Sequence, residues 1–262
     1  MSILQMDNIL IDGLAVPSYA RSPRLTIGGL AAVAVHGAAG SGMHTKPIFQ
    51  DRRDAGRRLA ERVRDPLHES DALVLALPRG GVPVGYEVAQ ALRAELDVFV
   101  VRKLGVPDRP ELAIGAIASG GVRVLNDALL KDLDLSSALI EQLTAREAME
   151  LKRREELYRQ GRPALPIFDR TVVLVDDGLA TGASMAAAAK AVHLQKPKRV
   201  IVAVPVGAEK TCEELRRNAD AVVCAYTPEP FLAVSMWYED FEQTTDEAVQ
   251  RLLHTVKIGG QN

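Results

Sequence analysis

The chain has 262 residues, enough to bury a full core in one large domain or in one domain with an appendage. Its composition, 47% hydrophobic and 25% charged, is that of a soluble globular protein, and no stretch is long and apolar enough for a bilayer span, so no membrane partner is expected. The formal net charge of −2 comes without a basic block, which argues against a nucleic-acid partner.

Residues 1–46 are rich in Ala, Gly and Ser and show little periodicity after Leu14, so they read as an N-terminal extension. Asp7 and Asp12 stand where a secretory signal needs a basic region. The sequence of residues 34–42 resembles the strand-to-glycine loop that makes an oxyanion hole in α/β-hydrolases, but no Gly-x-Ser-x-Gly elbow occurs, so a hydrolase reading lacks its nucleophile. A flexible Gly/Ser stretch is the simpler account.

A regular pattern starts near Ile48, and residues 47–262 are assigned to the main domain. Residues 51–64 predict a helix with Ala55, Leu59 and Val63 on its apolar face. The continuous apolar run 72–77 predicts a strand covered on both faces, broken by Pro78, Arg79, Gly80 and Gly81. A helix over 84–96 and a buried strand over 97–101 follow. Residues 102–126 read as irregular, with a short hairpin from 114–118 and 122–125. Ser136 or Ser137 caps a long helix ending near Arg159. Strands over 172–175, 199–206 and 221–225 then alternate with helices over 185–193, 211–217 and 246–254. This alternation implies an α/β fold, a mostly parallel twisted sheet flanked by helices, whose ligands bind beyond the C-terminal strand ends. Cys212 and Cys224 make no CxxC pair and the His residues are scattered, so no zinc site is expected. The two thiols read as small buried apolar residues of a reducing cytoplasm.

The most informative segment is 171–184, where an apolar strand runs into Asp176 and Asp177 and then into a turn of small residues opening a helix. Two acids at a strand end approach a ligand from two sides, because successive strand residues point opposite ways. Carboxylates accept from vicinal hydroxyls and are hard ligands for Mg²⁺. In Gly178, Leu179, Ala180, Thr181, Gly182, Ala183 and Ser184, the glycines permit close backbone approach, and a helix N-terminus favours an anion. Against this stands the plainer alternative of a helix cap beside a surface acid. Arg79, at a second strand end, is a planar multi-donor cation suited to phosphate, or a solvated arginine on a glycine turn.

Segment 171–184 resembles the phosphoribosyl-diphosphate (PRPP) motif of type I phosphoribosyltransferases. With residues 77–82, the 101–105 stretch and the 238–246 run, the chain is similar to a bacterial group carrying that domain. The resemblance implies a type I phosphoribosyltransferase-like sheet with a small hood. It implies that Asp176 and Asp177 hold the ribose hydroxyls and Mg²⁺, and that Gly178 to Ser184 bind the 5-phosphate. Arg79, Gly80, Gly81 and Lys103 would take the pyrophosphate, with Lys103 and Asp177 as the catalytic candidates and Lys103 on a mobile covering loop. Phosphoribosyl transfer from PRPP to a nitrogen acceptor, a nucleobase, would follow, in a cytoplasmic homodimer of nucleotide metabolism. Ala180 stands where 6-oxopurine enzymes carry a third acid, so no general base is assigned. That gap leaves room for a second function, a non-catalytic PRPP- or nucleotide-sensing regulator, and for a third, hydrolysis of a phosphoribosyl compound. Phe231, Trp237, Tyr238 and Phe241 are read as packing at a sheet edge or dimer contact, with base stacking as the alternative.

Overall fold

The computed structural model describes residues 46–64, 71–107 and 109–255. The apolar run after residue 71 is strand β1 (Ala72–Ala76), buried along its whole length. Helix α1 (Arg52–Arg64) precedes it and buries Ala55, Leu59 and Val63, as its periodicity requires. Helix α2 (Gly81–Leu92) begins earlier than its sequence pattern suggests and stops at Arg93, which adopts the left-handed conformation as its C-cap.

The single strand expected over 97–101 is two strands in two sheets. Strand β2 (Glu95–Val98) pairs with β1, whereas β3 (Val101–Val106) pairs antiparallel with β4 (Arg109–Ala118). Phe99 donates to the Ala76 carbonyl, and one residue later Val100 donates to Ser119 Oγ, so the chain changes sheets between them. The stretch expected to be irregular is therefore ordered: β3, β4 and β5 (Val122–Leu125) form a small antiparallel sheet. Register shifts around Leu104, Gly105 and Val106 break the alternation that would have marked β3 as a strand. The expected hairpin is its β4–β5 half.

Helix α3 (Asp127–Leu133), absent from the sequence reading, is capped by the Asn126 side chain. Helix α4 (Ser137–Arg159) has Ser136 as its N-cap, accepting from Leu139 N at 3.2 Å. It joins the two sheets: Arg102 of β3 pairs with Glu147 at 2.7 Å, and Arg159 pairs with buried Asp97 of β2 at 3.0 Å. Then come β6 (Thr171–Val175), α5 (Ala183–His193), β7 (Arg199–Val206), α6 (Glu209–Leu215), β8 (Ala221–Tyr226), a 3₁₀ turn (Val234–Trp237) and α7 (Asp246–Thr255).

The main sheet is all parallel in the order β2-β1-β6-β7-β8. It carries one apolar cluster on each face, built around Val173 and Val175 on one side and Val172 and Leu174 on the other. That arrangement puts the ends of β1 and β6 side by side in the middle of the sheet, with the small sheet as the hood. Cys212 and Cys224, expected as separate thiols, form a disulfide between α6 and the edge strand β8, with Cα atoms 6.5 Å apart. Packing of α6 on β8 brings the two residues face to face across 12 positions of sequence. Among the described residues no helix is long and apolar enough to cross a membrane. The extension expected over 1–46 lies, apart from Lys46, outside the described residues.

Candidate active site

Strand β6 ends at two acids. Asp176 and Asp177 sit just past Val175, where Leu77 N still donates to the Val175 carbonyl. Asp177 N donates to Asp176 Oδ1 at 2.9 Å, fixing the first carboxylate against the backbone of the second. Burial raises the pKa of both acids above the ordinary aspartate value, that of Asp176 well above it; at Asp176 the neighbouring Asp177 charge adds to the effect. At Asp177 the Arg52 guanidinium works in the opposite direction.

Four contacts hold this corner. Arg52 Nε donates to Asp177 Oδ2 at 2.8 Å, its Nη1 donates to the Glu242 carbonyl at 2.7 Å, and its guanidinium lies 3.9 Å over the Phe241 ring. The Tyr238 hydroxyl donates to the Asp177 carbonyl. A Cβ on Gly178 would come within 2.5 Å of Val234 Cγ1, so this glycine lets the 3₁₀ turn lie on the start of the loop. Leu179 N donates to the Val206 carbonyl, and Ala208 N to the Leu179 carbonyl, tying the turn to the end of β7. Gly182, at φ 68°, is the residue from which α5 starts. Ala180 and Thr181 are exposed at the tip, and Ala183 and Ser184 open the helix.

The second loop meets the first through its glycines. A Cβ on Gly80 would collide with Asp177 Oδ2, and one on Gly81 would lie 2.8 Å from the Val175 carbonyl. The Pro78–Arg79 peptide is cis, and Gly81 N returns to the Leu77 carbonyl at 3.0 Å. Arg79 is half-buried, with Nη1 3.7 Å from Asp246. The structure thus brings together Arg79, Gly80, Gly81, Asp176, Asp177 and the turn 178–184. Lys103 is on strand β3 of the hood opposite Ala116, not on an irregular loop, and its side chain is exposed.

The family model for the phosphoribosyl transferase domain matches residues 47–233. The chain belongs to that family. Two curated relatives, Rv0571c and MT0597 of Mycobacterium tuberculosis strains, carry the provisional name phosphoribosyl transferase; each is 47% identical over 206 residues. That match covers 79% of this chain and 46% of the relative, so this chain spans about half their length. The crystal structure of TT1426 from Thermus thermophilus is 46% identical, covers 78% of this chain and 97% of its own, and superposes with a TM-score of 0.71. The parallel sheet with its hood is the type I phosphoribosyltransferase fold.

Sequence reasoning missed Arg52, which stands among six arginines between positions 52 and 64 with nothing local to single it out. Tyr238 and Phe241 belong to the aromatic run that the sequence did single out. They pack with Phe49, Tyr226 and Trp237 into one cluster beside Asp177, in keeping with the packing reading.

Proposed function

We propose that this phosphoribosyltransferase moves the phosphoribosyl group of PRPP to a nitrogen of a nucleobase-like acceptor and releases pyrophosphate. The observation that supports this reading is the seam between the two loops. Gly80 and Gly81 press against Asp177 and Asp176, so a ligand spanning both loops has its ribose over the acids. Its 5-phosphate would then lie on the turn from Gly178 to Ser184, and its pyrophosphate beside Arg79.

Mg²⁺ suits this donor set. Two adjacent carboxylates are what Mg²⁺ takes from a protein when the substrate supplies the remaining oxygens, and no cluster of three or more metal-binding side chains occurs among the described residues. When bound, the ion would neutralise the diphosphate and ease its departure. The chain's own residues then do the positioning. Arg52 and Tyr238 keep Asp177 aimed, the helix N-terminus at Ala183 and the Thr181 and Ser184 hydroxyls receive the phosphate, and Arg79 meets the leaving group. Lys103 would add a second cation from the hood. A cytoplasmic homodimer, with residues 47–262 acting as one unit, completes the proposal.

The test combines PRPP, Mg²⁺ and a panel of purine and pyrimidine bases and follows pyrophosphate release, with PRPP binding measured by calorimetry. Release with at least one base is expected. Absence of PRPP binding would overturn the proposal. Binding without turnover on any base selects the second reading, a PRPP-sensing regulator, which Ala180 favours by leaving the loop without a third acid.

A further inference from the structure

The disulfide lies one residue from a contact with the phosphate turn. Thr211, in the first turn of α6, donates from Oγ1 to the Ala180 carbonyl at 2.9 Å. Its methyl occupies the space left by Gly182, where a Cβ would be 2.6 Å from Thr211 Cγ2. One side chain therefore holds the turn on both sides of Thr181. The next residue, Cys212, is buried; its Sγ would be 2.9 Å from a Cβ on Gly207, and its amide donates to the Ala208 carbonyl at 3.0 Å. Helix α6 has seven residues and no side-chain N-cap, so its position depends on tertiary contacts. The bond to Cys224 fastens it to β8.

We propose that Thr211 is a positioning residue for the phosphate turn and that the Cys212–Cys224 disulfide is the strut that keeps it in place, so that reduction of this bond weakens phosphate binding. The inference rests on the reading that residues 178–184 take the 5-phosphate. A cavity of about 440 Å³, lined by both cysteines with Arg62, Glu213 and Arg216, gives a small thiol access to the bond. A dithiol supplies the two electrons and two protons. It closes to its own cyclic disulfide, while the S–S bond breaks and both cysteines become thiols. The helix is then held by packing alone, and the Thr211–Ala180 hydrogen bond loosens.

Calorimetry with ribose 5-phosphate tests this without turnover. The oxidised chain is compared with the dithiothreitol-treated chain, alkylation and mass spectrometry confirming two new thiols. Reduction is expected to weaken binding about fivefold, the size of one neutral hydrogen bond. T211V, which keeps the methyl and loses the hydroxyl, should match that loss in the oxidised chain, and T211S should recover most of it. Reduction of T211V should add little, because both changes remove the same contact. Pyrophosphate affinity should not move, which separates positioning from general loosening. Binding that ignores both reduction and T211V overturns the strut alone. A wild-type chain that does not bind ribose 5-phosphate overturns the phosphate reading and the strut together.

Discussion

The loops that end β1 and β6 adjoin and use equally small residues, yet the protein fastens them differently. The turn after Asp177 is gripped by Arg52, Tyr238, Val234 and Thr211, drawn from three separate parts of the chain. The loop at Arg79 has its glycines pressed on the acids, but among the described residues its cation makes one ion pair, a long one with Asp246 at 3.7 Å. The difference teaches that buried acids need the protein's support before any ligand arrives, whereas a half-exposed arginine does not. Substitutions that touch the acids, from either loop, should therefore register as stability, and those of the arginine itself as ligand affinity.

The largest effect is expected from Arg52→Ala. The ion-paired side chains are 12% and 16% exposed, so the change leaves a mostly buried carboxylate without its counter-charge. A loss of about 3 kcal/mol in urea unfolding is expected, the lower end for a broken buried pair. Arg52→Lys should recover part of it, since an ammonium cannot serve Asp177 and the Glu242 carbonyl with the same fork. A loss below about 1 kcal/mol, the range of surface pairs, would show that water already screens this contact. Gly80→Ala comes next, at about 2 kcal/mol, because its methyl would collide with Asp177 Oδ2 and push that carboxylate off its aim. PRPP affinity should fall with it. Tyr238→Phe removes one hydrogen bond to the Asp177 carbonyl and should cost about 1 kcal/mol with a modest loss of affinity.

Asp176→Asn should act in the opposite direction. Its pKa is raised in the fold, so the wild type loses stability as pH rises from the unfolded carboxylate value through the folded one. The neutral amide escapes that loss. The variant should match the wild type in acid and exceed it at neutral pH, while binding PRPP less well. Thermal melts across pH check this; a variant less stable at pH 7 would mean that the ionised form is well solvated.

This contrast also explains what is legible in the sequence. Segment 171–184 can be read because its strand, acids and turn are contiguous, and Ser136 because a cap acts within three residues. Arg52 cannot, since its partner is 125 positions away and its neighbours are also arginines. The hood escapes the periodicity because bulges at Leu104 and Gly105 erase the alternation that signals a strand. The disulfide is hidden for a related reason: spacing of 12 residues says nothing until α6 packs on β8.

Arg79→Ala should change stability least and decides whether the comparison holds. With its side chain 30% exposed and a long ion pair to Asp246, Arg79 contributes little to the fold, and a change within about 0.5 kcal/mol is expected. Its effect should appear in binding instead. Pyrophosphate affinity should drop about tenfold or more, the scale of a charge-assisted hydrogen bond. Ribose 5-phosphate, which reaches only the braced turn, should bind as before. Equal losses for both ligands would place Arg79 over the ribose rather than the diphosphate. A large loss of stability would show instead that the contact with Asp246 fastens this loop as firmly as Arg52 fastens the other.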